Sequence, residues 1–83
     1  MHEGYNAYAV TLEQDEETGQ VVAHVPALFI SDYGANTAEA LGHLHEMVTF
    51  HLTCLEAEGK DIPSEDSEGE GFYLRIRLPR HAA

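Results

Sequence analysis

The chain has 83 residues, 43 % of them hydrophobic and 23 % charged, a balance that predicts one folded domain with a modest core and excludes general disorder. Fifteen Asp and Glu stand against four Lys and Arg, a formal net charge of −11, so direct nucleic-acid binding is not expected; the charge favours a basic protein partner or serves solubility. No apolar run approaches a membrane span, MHEGYN lacks the features of a signal peptide, and Cys54 has no second cysteine to pair with, so a cytoplasmic protein without membrane contact is expected.

In YNAYAVTLEQ, from Tyr5 to Gln14, Tyr8, Val10 and Leu12 alternate with Ala7, Ala9 and Thr11, the two-residue period of a half-buried strand. DEETGQ follows with charge and Gly19, which predicts a hairpin turn. VVAHVPALFISDY returns to strand composition up to Gly34 and is broken at Pro26, a residue that cannot donate to a central ladder, so two strands are predicted there. From Asn36 the period changes. Leu41, Leu44, Val48, Leu52 and Leu55 recur at spacings of three and four, the buried stripe of an α-helix. Asn36 and Glu39 form a capping-box pattern and Gly59 is placed as the stop, which ends the helix at about Glu58. GKDIPSEDSEGEG reads as a flexible acidic loop. In FYLRIRL, Phe72, Leu74, Ile76 and Leu78 share one face, Tyr73, Arg75 and Arg77 the other, and Pro79 ends the strand. The order β-β-β-α-β predicts a single α+β two-layer domain over residues 1–83, with its core at about 5–79 and one helix on a mainly antiparallel four-stranded sheet.

The segment HLHE suggests metal chemistry, but helical geometry argues against it. His43 and His45 lie two residues apart, and at about 100° per residue they point to nearly opposite faces. Zinc-binding helices use i and i+4, where His43 meets Met47 and His45 meets Thr49, so no metal site is expected. Cys54 sits far from the helix N-terminus that would activate a thiolate. The pairs Asp15/Glu16 and Asp66/Glu68 read as solvated loop carboxylates, and neither a phosphate loop nor a Ser-His-Asp pattern is present. The expectation is a non-enzymatic protein without a cofactor, with a minimal metal-dependent hydrolase as a further alternative. A second apolar line, His43, Met47, Phe50, Cys54 and Ala57, runs beside the buried stripe. It predicts an oligomer interface, a homodimer or tetramer, in which His43, Met47, Phe50 and Cys54 take part; the alternative is that a long terminal segment or the loop after Gly59 folds over Phe50.

Taken in order, YAVTLEQDEETGQVVAHVPAL, NTAEAL and EGKDIP, with Pro26 and Thr37 at matching spacing, resemble the HicB-like antitoxin domain over roughly Tyr5 to Pro63. The resemblance implies a partial ribonuclease H-like fold of the same β-β-β-α-β order. It also implies that the chain binds and silences a small basic HicA-like RNA-cleaving toxin. The acidic clusters Asp15, Glu16, Glu17 and Glu65, Asp66, Glu68 are then the candidate partner-binding residues. No separate DNA-binding domain is expected after RIRLPRHAA, and similarity to ribonuclease H does not by itself imply nuclease activity. The alternative within this fold is a stand-alone homo-oligomer of unknown role without a toxin partner.

Overall fold

The computed structural model describes residues 5–63 and 71–77. Strand β1 (Tyr5–Gln14) pairs antiparallel with β2 (Val21–Val25) on one side and with β4 (Phe72–Arg77) on the other. Strand β3 (Ile30–Gly34) pairs antiparallel with β2, which gives the sheet order β3-β2-β1-β4. The one α-helix among the described residues, α1 (Thr37–Ala57), packs on one face. This is the predicted α+β two-layer architecture with its elements in the predicted order.

The two-residue period decides which face is covered. Tyr8 stands opposite Leu74, Leu12 opposite Ala23 and Val25 opposite Ile30, and Tyr8, Val10, Val21, Ala23 and Val25 are buried against Leu44, Val48 and Leu52 of α1. A 3₁₀ turn at Pro26–Leu28 joins β2 to β3, with Pro26 where its missing N–H costs nothing and Leu28 turned into the core.

Both ends of α1 are closed as the composition foretells. The Glu39 amide donates to Asn36 Oδ1 at 2.8 Å, while the Ala35 amide donates to Glu39 Oε1 at 2.7 Å, so the reciprocal carboxylate contact falls one residue before the cap. At the other end Gly59 takes a left-handed φ of 74°; its amide donates to the Glu56 carbonyl at 3.1 Å and the Lys60 amide to the Leu55 carbonyl at 2.9 Å, a Schellman closure.

Three expectations are corrected. The fully buried stripe of α1 is Ala40, Leu44, Val48 and Leu52, with Leu41 and Leu55 only half-buried on its flanks. Phe72 belongs to the core-facing set by parity but is 62 % exposed, because α1 packs chiefly over β3 and then β2 and far less against β4. The segment after Gly59 does not cover Phe50 as far as Pro63. It runs instead to β1, where the Tyr8 hydroxyl and the Asn6 amide both donate to the Pro63 carbonyl, and Ile62 packs on the core. The acidic residues Glu65, Asp66 and Glu68, and the strand end at Leu78 and Pro79, lie outside the described residues.

Candidate protein-binding groove

Because α1 sits over the β3 side of the sheet, its second apolar line borders the outer strand. Of the residues expected at an oligomer interface, Met47, Phe50 and Cys54 line one hollow and His43, Met47 and Phe50 the adjoining one. Met47, Phe50, His51 and Cys54 of α1 share a hollow with Phe29, Ile30 and Ser31, and the same Met47 and Phe50 continue toward Asp32, His43 and Glu46. Phe50 is 66 % exposed and Met47 is exposed beside it, so the groove has an apolar floor and a carboxylate rim.

Phe29 is the residue that sequence reasoning missed. It takes the left-handed conformation (φ 57°, ψ 39°), closes the 3₁₀ turn by donating its amide to the Pro26 carbonyl at 3.2 Å, and holds its ring out 88 % exposed. A non-glycine residue with a large side chain is strained in that region by about 1–2 kcal/mol. The left-handed backbone is therefore the cost to stability, and the ring, in water in the folded and the unfolded chain alike, does little to offset it. Phe29→Gly is expected to raise the melting temperature by a few degrees, a gain of up to about 1 kcal/mol once the extra freedom of glycine in the unfolded chain is discounted. A drop on thermal unfolding would show that the ring packs against something in the folded state.

His43 ties α1 to the sheet edge. Its Nδ1 lies 2.7 Å from the Tyr33 carbonyl oxygen and donates to it when the proton sits on that nitrogen. This bond raises the His43 pKa above its ordinary 6.5; partial desolvation works against it, and Asp32, Glu39 and Glu46 add to the rise. The folded chain thus holds the proton more tightly than the unfolded chain. The contribution is fully present below about pH 6.5 and disappears as pH climbs through the raised value. Compared with His43→Gln, the wild-type protein should gain melting temperature as pH falls toward 6.5 and lose that advantage as pH rises through the raised value. A difference that does not change with pH would refute the tighter hold on the proton.

The hairpin carboxylates divide into two kinds. Asp15 Oδ1 accepts from the Glu17 amide at 2.8 Å and the Thr18 amide at 3.3 Å, and the Asp15 carbonyl accepts from the Gly19 amide at 2.7 Å, so Asp15 builds the turn. Glu16 and Glu17 are exposed at its tip. His45 is exposed on α1, while the His43 ring reaches β3, the divergence expected of residues two apart. Among the described residues no three His, Cys, Asp or Glu side chains gather where a metal ion could be held, and no helix is long and apolar enough to cross a membrane. No family model matches the chain, and no curated protein or solved structure is significantly similar to it.

Proposed function

We propose that this chain is a non-enzymatic protein-binding module that holds a small basic protein, a HicA-like toxin in the reading suggested by the HicB-like sequence pattern, and thereby blocks its action. The observation that carries the proposal is the groove beside β3. Exposed Phe29, Met47 and Phe50 supply the apolar anchors from which lasting affinity comes, and Asp32 and Glu46 border them with negative charge. The net charge of −11 adds long-range attraction for a basic partner. A second copy of this chain is the competing occupant of the same face.

The test is co-expression with the small basic product of a neighbouring gene, with co-purification and rescue of growth as readouts. If the reading holds, Phe50→Ser and Phe29→Gly speed dissociation by about tenfold or more. The pair Glu16→Gln and Glu17→Gln slows association by about tenfold or less and leaves release unchanged, with Asp15 kept because it holds the turn. Absence of binding and of rescue, together with a dimer mass that Phe50→Ser reduces to a monomer, would assign the face to self-association.

A further inference from the structure

Among the described residues strand β3 is the outer strand of the sheet, bonded to β2 along one side. In an antiparallel pair, alternate residues turn both backbone groups toward the neighbour and the residues between turn theirs away. Tyr33 is one that turns away. Its N–H donates to Asp32 Oδ1 at 2.8 Å and its carbonyl meets His43 Nδ1 at 2.7 Å, so side chains occupy the positions a further strand would take. Ser31 has the same parity, and its amide and carbonyl point to the same open side. Outer strands are commonly protected from added strands by charged side chains or by a covering element. Here the protection is partial: two side chains at the rim cover Tyr33, and α1 overhangs the strand with apolar Met47 and Phe50 exposed.

We propose that β3 is a strand-addition site. An extended segment of a basic protein pairs with Ser31 and Tyr33 as a fifth strand and displaces the Asp32 and His43 side chains from the Tyr33 backbone. It seats an apolar side chain on Phe29, Met47 and Phe50 and a Lys or Arg against Asp32 and Glu46. The inference rests on the reading of this chain as a binder of basic protein and adds how the partner is held. Side chains of an added strand alternate, so every second one falls on the helix side, over the groove.

Charge selects the occupant. Asp32, Glu39 and Glu46 act together around His43, whereas Arg75 and Arg77 lie on β4, at the opposite edge of the sheet. A twofold pairing of β3 with itself, in the register that pairs all five residues, sets Asp32 against its own symmetry mate, and each copy brings a net charge of −11. A basic segment meets neither obstacle.

The probe is a synthetic peptide of repeating Val-Thr-Lys-Thr, which presents Val and Lys in turn on one face of an extended strand, added to the isotope-labelled full chain. Its controls are the same peptide N-methylated at alternate backbone amides and a version with Glu in place of Lys. The expected result is perturbation and slowed amide exchange at residues 29–34 and along His43–Phe50, with affinity about tenfold or more weaker for the N-methylated peptide and lost for the Glu peptide. Ser31→Pro, which removes an N–H that points to solvent in the free protein, should preserve the melting transition and weaken the peptide comparably. Equal binding of the N-methylated peptide, a response at Glu16 and Glu17 in place of β3, or no binding at about millimolar peptide would overturn strand addition. Protection of Ser31 that rises with protein concentration alone would give the edge to a second copy and overturn it too. A basic partner protein that co-purifies while Ser31 exchange stays unchanged would overturn strand addition and leave the partner-binding reading intact.

Discussion

Gly34→Ala is expected to lower the stability of the domain by about 3 kcal/mol, the upper end of what overpacking usually costs. A Cβ at Gly34 would lie 2.6 Å from the Ala40 nitrogen and 2.8 Å from both the carbonyl carbon and the Cβ of Glu39. These atoms belong to the first turn of α1 or to its immediate attachment, so no side-chain rotation relieves the contact and the helix itself must lift. Lifting it also disturbs the Asn36 cap, whose bond to the Glu39 amide depends on that turn. For a chain of this length total stability is roughly 4–12 kcal/mol, so one methyl group should lower the melting temperature by roughly 15 °C. Gly42→Ala is the matching control. Its added Cβ meets nothing within 4 Å, and replacing an exposed mid-helix glycine should stabilise by about 0.5–1 kcal/mol. Urea unfolding of both variants reads the comparison. A Gly34→Ala protein as stable as the parent would mean that α1 does not rest on the end of β3.

Leu44→Ala is expected to cost about 2–5 kcal/mol, whereas Phe50→Ala should cost less than about 1 kcal/mol although it deletes the larger side chain. Both residues lie within α1. Leu44 has no exposed surface and is enclosed by the sheet, so its truncation leaves a cavity that neighbouring side chains fill only in part. Phe50 is 66 % exposed, and most of the area removed is already in water. Thermal unfolding at low and high protein concentration tests the pair. A Phe50→Ala loss as large as that of Leu44→Ala, and growing with concentration, would show that Phe50 is buried by a second chain in solution.

What the sequence determined by itself is what depends on near neighbours. The alternation of Tyr8, Val10 and Leu12 makes a half-buried strand wherever that segment packs, because successive side chains of any strand point to opposite faces. The Asn36–Glu39 cap and the Gly59 closure were legible for the same reason: each bond joins groups within a few residues. The line through His43, Met47, Phe50 and Cys54 was also readable as a line, since helical period places it. Only the tertiary structure decided what that line borders. It decided that Ala40, and not Leu41, joins the fully buried stripe, that Phe72 stands in water, and that Phe29, Ile30, Asp32 and Glu46 complete a groove. It also separated Asp15, committed to its turn, from Glu16 and Glu17, which read alike in the sequence. These outcomes follow from where the axis of α1 crosses the sheet and from β3 taking the outer position. Both are set by the best packing of all the apolar faces together, a global balance that no local spacing in the chain encodes.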